Sequence, residues 1–159
     1  MKRHEGAFFA LAAAAMVAAV PVAAWGLVGQ QDTEGLPASE LDHAFQPWDI
    51  ADGPARAIGA TALLVTAVAA ALLVRATRRG ALDRRWWMVL GPLTMAGLMA
   101  GVGWRVLTAG VIGANIGAGL TIMLGGPVVA GLVLWSLAGG VWLAVRGGGD
   151  ANHRAAPTR

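Results

Sequence analysis

Cysteine is absent from the 159 residues, which excludes disulfides, thiolate metal sites and thiol nucleophiles and leaves the redox compartment unspecified. Charge is nearly as scarce. Lys, Arg, Asp and Glu together make up 13% of the chain, about half of the roughly 25% found in a soluble domain. The hydrophobic class reaches 57% and 23 glycines add to it, against roughly 45 to 50% for the two together in an ordinary globular protein. A chain of one-domain length has too much surface to cover with so few charges. The composition therefore excludes a water-soluble globule, a disordered chain and a nucleic-acid binder, and makes the bilayer the solvent.

The rare charges serve as a ruler against a hydrocarbon core of roughly 30 Å, which needs about 20 helical residues. Four uncharged gaps qualify: Gly6 to Gln31, Ala57 to Val74, Trp86 to Trp104, and Val106 to Val145. The last gap opens with TAGVIGANIGAG, rich in glycine, alanine and asparagine, which predicts a turn followed by one span. Backbone groups in lipid must be satisfied within their own segment, and the alternating strands of a barrel are missing, so the spans are helices. The predicted fold is all-α, four transmembrane helices in an antiparallel bundle, as a single membrane domain. The spans are 7–29, 57–75, 86–107 and 117–144, with an outer loop 30–56, an inner loop 76–85 and a tail 145–159. Val22-Ala23-Ala24 would suit a signal-peptide cleavage site, but the first apolar stretch is longer than a signal core, which favours a retained anchor. Pro21 lies in its outer half and removes a backbone donor there.

Lysine and arginine near span ends stay on the cytoplasmic side. Ten of the twelve basic residues fall on one side: Lys2, Arg3, Arg75, Arg78, Arg79, Arg84, Arg85, Arg146, Arg154 and Arg159, leaving Arg56 and Arg105 opposite. Both termini are expected in the cytoplasm of a multi-pass cell (plasma) membrane protein. Six of the acids, Asp32, Glu34, Glu40, Asp42, Asp49 and Asp52, gather in the first outer loop. The basic clusters read as topology signal and headgroup contact, with the lipid bilayer as partner and no nucleic acid.

Helix association in lipid depends on close packing, polar contacts and small residues. Gly97 and Gly101 form one GxxxG step, Gly113 and Gly117 another, and alanine-rich runs at 12–15 and 67–71 give small faces to the first two spans. These read as ordinary small-residue packing rather than a dedicated dimerisation face. Trp25, Trp86, Trp87, Trp104 and Trp142 fall near span ends, as interface anchors do.

Arg105 follows Arg85 by about 30 Å of helix, which sets it at the outer boundary, where a charge snorkels or finds a partner. Asp42, Asp49 and Asp52 in the outer loop are the expected partners, one of them clamping the loop over the bundle. Asn115, within GANIG, is read as capping the fourth helix or closing the hairpin before it, with an interhelical polar contact as the alternative. Ser39 and Asp42 resemble a capping box, so 39–45 is expected to form a short surface helix that presses Leu36, Leu41, Phe45, Trp48 and Ile50 against the membrane or the bundle. His43 beside Asp42, Asp49 and Asp52 is the only gathering of metal-ligand types, and its spacing is not that of a zinc site.

No acidic residue falls inside a predicted span, whereas ion-coupled transport usually needs an intramembrane carboxylate or an equivalent relay. No Ser/His/Asp grouping or intramembrane histidine pair suggests hydrolysis, haem ligation or metalloproteolysis. The expectation is a non-enzymatic accessory or scaffold subunit, without cofactor or metal, that contacts a second copy of itself or a larger membrane complex. The alternative is a small oligomeric transporter or channel with an outer vestibule near Arg105 and Asn115, and a weaker third reading is an enzyme or sensor built on His43 and its aspartates. In its Ala/Gly/Arg-rich composition the chain is similar to many small actinobacterial integral membrane proteins, a resemblance that carries no functional residue.

Overall fold

The computed structural model describes residues 2–32, 43–111 and 114–155. Helix α1 runs Lys2–Val28, α2 Asp52–Arg78 and α3 Trp87–Leu107, the last entered through a 3-10 turn at Arg84–Trp86. Helix α4, Ala114–Leu120, passes through a π-helical turn at Thr121–Gly125 into α5, Gly126–Ala155. Among the described residues there is no strand, only an isolated bridge between His43 and Gly110. Four helical segments are long and apolar enough to cross a membrane: Glu5–Val28, Asp52–Arg78, Arg84–Leu107 and Ala114–Arg146.

The helices overrun the uncharged gaps for an electrostatic reason. Asp52 stands in the first turn of α2 and Arg75 and Arg78 in its last, the signs that the helix dipole favours at each end. A hydropathy ruler measures the lipid-immersed part of a helix and misses these charged turns. The fourth span differs from expectation in a second way. The chain is already helical at Ala114, three residues before the predicted start. The hydroxyls of Thr61, Thr66, Thr94, Thr121 and Ser136 each donate to a carbonyl one turn back on their own helix.

Helix α1 is flanked by α2 and α3, and α3 carries α5 on its other side. The main core gathers Ala12, Met16, Ala69, Leu73 and Leu90 where the start of α1 meets the end of α2 and the start of α3. Towards the opposite end the backbones themselves touch. A Cβ at Gly26 would lie 2.5 Å from the Gly59 Cα, and one at Gly59 would lie 2.8 Å from the Gly26 Cα; α1 and α2 cross there. At the crossing of α1 and α3, a Cβ on Gly101 would collide with the Pro21 carbonyl oxygen and come within 2.8 Å of the Ala24 Cβ. The Gly97/Gly101 step thus makes room for Pro21. The second expected step contributes less: Gly117 would meet only Val106, at an ordinary 3.9 Å, and Gly113 lies outside the described residues. Helix α5 rests on α3 through small residues, with the Ser136 hydroxyl donating to the Val89 carbonyl at 3.1 Å.

Candidate functional site

The C-termini of α1 and α3 come to the same end of the molecule, and each leaves backbone carbonyls without an intrahelical donor. The polar residues of that end are arranged around those carbonyls. Trp25 is in the last turn of α1, and its carbonyl accepts from the Arg105 Nε at 2.7 Å. The carbonyl of Val28 accepts from the Gln31 amide at 3.0 Å. At the end of α3, the Leu107 carbonyl takes the Phe45 backbone N–H at 3.2 Å, and the Thr108 carbonyl takes the Gln30 Nε2 at 2.6 Å. Gly29, at φ 74°, turns the chain out of α1 in the left-handed region open to glycine and brings Gln30 into position.

Arg105 is the centre of this knot. Only 5% of the residue is exposed. Besides Trp25 it donates from Nη1 to the Gln30 Oε1 at 2.9 Å, and its guanidinium carbon stands 4.4 Å over the Trp25 ring, a cation–π geometry. Burial works against the charge, and Asp52 and Asp32 counter that through space. The expected ion pair is not formed: among the described residues Arg105 touches neither Asp49 nor Asp52, and Asp42 lies outside them. Its partners are neutral because a helix end already presents a desolvated acceptor at the right height, whereas an exposed aspartate would have to be stripped of water to pair with it.

His43 and Asp32 occupy the neighbouring position. The Asp32 Oδ1 accepts from the Gly110 N–H at 2.8 Å and from the Gln30 Nε2 at 2.9 Å. The His43 Nε2 stands 3.7 Å from the same oxygen, an ion pair when the imidazole is protonated. Both side chains reach the backbone only because residue 110 is glycine: a Cβ there would lie 2.7 Å from the His43 Nε2 and 2.8 Å from Asp32. Among the described residues, the His43 Nε2 and the Arg105 Nη2 are buried atoms without a hydrogen-bond partner. Three tryptophans close the outside of the knot, Trp48 stacking at 5.7 Å on Trp25 and at 5.4 Å on Trp104.

The loop is therefore docked, by other means than the sequence predicted. Ser39 to Asp42, with Leu36 and Leu41, lie outside the described residues, and His43 to Phe45, expected to end a surface helix, carry a bridge and bends. Phe45, Trp48 and Ile50 are all exposed, and of the three Trp48 makes the aromatic contact. Asn115 is exposed and sits inside α4 rather than before it, so it does not cap that helix. Among the described residues no group of three or more His, Asp or Glu could hold a metal ion. Gln30, Asp32, Thr108 and Gly110 were not singled out from the sequence. The available signal was the run Gln30-Gln31-Asp32, polar and placed where the first span ends, at the same level as Arg105.

Compared with known proteins, the chain matches no family model, no curated protein and no solved structure.

Proposed function

We propose that this chain is a non-enzymatic accessory or scaffold subunit of the plasma membrane, with the arginine-rich end and both termini in the cytoplasm. The observation that supports it is the use made of Arg105. Arg105 is held against a helix end and an aromatic ring, 5% exposed, and acts as a fastener for the outer loop. A transporter or channel would need that charge to face a water-filled path. What remains for recognition is surface, and α5 has most of it: within the Ala114–Arg146 span only 6% of the apolar window is buried, and Leu134, Trp135, Leu137 and Val141 stand outward. Small residues on one side and large apolar ones on the other fit a helix that is anchored by α3 and offers its far side to another membrane helix.

A photo-crosslinking residue at Leu134, on α5, tests this in native membranes against the same residue at Leu64, on the exposed side of α2. The expected result is a discrete protein adduct from position 134, either a second copy or a larger subunit, and none from position 64. Lipid adducts alone at both positions would overturn the proposal.

A further inference from the structure

The arginine-rich end of the molecule holds a polar cavity that shares Trp87 in its wall with a longer apolar one. The polar cavity, about 510 Å³, lies between the end of α2 and the entry to α3, lined by Val74, Thr77, Arg78, Arg84 and Trp87. The donors there are unequal. The Trp87 Nε1 donates to the Thr77 Oγ1 at 3.0 Å, and the Thr77 hydroxyl donates to the Leu73 carbonyl at 2.9 Å. The guanidinium groups of Arg78 and Arg84 make no side-chain bond among the described residues, so they are the donors left to a ligand. The last turn of α2 adds Arg75 and the connector Arg79 and Arg85, against a single connector acid, Asp83, whose carboxylate accepts the Arg85 N–H at 2.9 Å.

Trp87 also lines a second cavity, of about 520 Å³, that runs from it between α2 and α3 with α1 as its floor. Met16 lies below, Leu63 and Ala70 on one wall, Gly91, Met95 and Leu98 on the other. The two threonines in this stretch, Thr66 and Thr94, spend their hydroxyls on their own helix, so the furrow presents no free donor. From Trp87 to Leu98 it extends about 16 Å along α3, half of a hydrocarbon core of roughly 30 Å. Free guanidinium groups beside an apolar furrow about one leaflet long, with Trp87 in the wall of both, match the polarity of a phospholipid. The hollow between α1, α2 and the connector on the other side, about 300 Å³ and lined by Phe9, Leu82 and Trp86 among others, has no arginine in its wall.

We propose that the two cavities together bind one anionic phospholipid of the inner leaflet, its phosphate held by Arg78 and Arg84 and one acyl chain lying in the furrow past Trp87. Guanidinium forks match phosphate oxygens two at a time, and basic pockets between membrane helices on the cytoplasmic side are suited to anionic headgroups. The choice of leaflet rests on the orientation proposed above, whereas binding itself does not depend on orientation or on whether α5 recruits a partner.

The test uses the full chain purified in neutral detergent. The thermal unfolding midpoint and the lipid retained by the intact protein are measured with phosphatidylglycerol, with phosphatidylcholine of the same acyl chains, and with inorganic phosphate. Phosphatidylglycerol is expected to raise the midpoint and to stay bound at one molecule per chain, and the other two to do neither. The double variant Arg78→Gln, Arg84→Gln should lose about tenfold or more in affinity for phosphatidylglycerol. Arg146→Gln, which removes a guanidinium 4.0 Å over the Trp142 ring at a separate position, should leave that affinity unchanged. Gly91→Leu fills the furrow at a point where an added Cβ meets nothing within 4 Å, so it should fold and lose the lipid while keeping both arginines. Equal responses to the two lipids, an equal response to inorganic phosphate, or an unchanged affinity in either the double variant or Gly91→Leu would each overturn the assignment. So would a loss in Arg146→Gln as large as that in the double variant.

Discussion

Helix α3 has arginines near both of its ends, and they live in opposite circumstances. Arg105 is buried, fixed to the Trp25 carbonyl and the Gln30 amide, and laid over an indole ring. Arg84 and Arg85, with Arg75, Arg78 and Arg79 across the connector, are exposed, and among the described residues none is in an ion pair. The cause is how the neighbouring helices end. Helix α2 closes its own last turn: the Gly80 N–H bonds the Thr77 carbonyl at 3.1 Å and the Ala81 N–H bonds the Ala76 carbonyl at 2.9 Å, with Gly80 at φ 70°. This is the left-handed glycine closure that satisfies orphan carbonyls from the backbone alone. Helices α1 and α3 borrow side chains and loop amides for that purpose. A guanidinium becomes structural where a helix leaves acceptors open, and stays available to ligands where the backbone has already taken them.

The largest test of the difference is all-or-none. The two ends are expected on opposite sides of the membrane, so a reporter active only in the cytoplasm should signal when fused at Gly80 and stay silent at Gln46. The reverse pattern, or the same signal from both, would sink the orientation and with it the assignment of the lipid to the inner leaflet.

A second test acts on the knotted end. Arg105→Ala removes the donor to the Trp25 carbonyl and the Gln30 Oε1 together, and two acceptors left without a partner, one buried and one half-buried, at about 1 to 3 kcal/mol each should lower stability by about 2 to 6 kcal/mol. Denaturation in detergent would measure this, and protease should cut the 43–50 connector faster. Arg105→Lys should recover little, because an ammonium lacks the planar fork that reaches both acceptors. Unchanged stability and unchanged protection of the connector would show that the tryptophan stack and the Phe45 bond hold the loop without Arg105.

How much of this was legible follows from range. The four apolar helices rest on the local distribution of charge, which a chain read in order displays, and the position of Arg105 at a span end came from counting residues. Its partners did not. Trp25 and Gln30 are 80 and 75 residues away, and an arginine in a sequence is paired by habit with an aspartate, since a backbone carbonyl is invisible there. The same blindness concealed Gly26 against Gly59, where only the crossing of α1 and α2 tells these glycines from the other 21 of 23. Asn115 failed for a different reason. Its capping role assumed that the helix starts only after GANIG, whereas α4 begins at Ala114 and carries Gly117 and Gly119 within it, each at a cost of about 1 kcal/mol.

The smallest expected effect is the sharpest statement about the open end. Arg79 is exposed, follows a helix end that its neighbours' backbone already satisfies, and lies outside both cavities of the lipid site. Its own N–H bonds the Arg75 carbonyl at 3.1 Å, and that bond survives any change of side chain other than to proline. Arg79→Gln should therefore leave the unfolding midpoint where it was, as surface substitutions away from special features do, and leave phosphatidylglycerol binding in place, because the forks that hold the phosphate belong to Arg78 and Arg84. A loss of stability approaching that of Arg105→Ala would mean that the guanidinium groups of the connector also hold helix ends, and the contrast between the two ends of α3 would disappear.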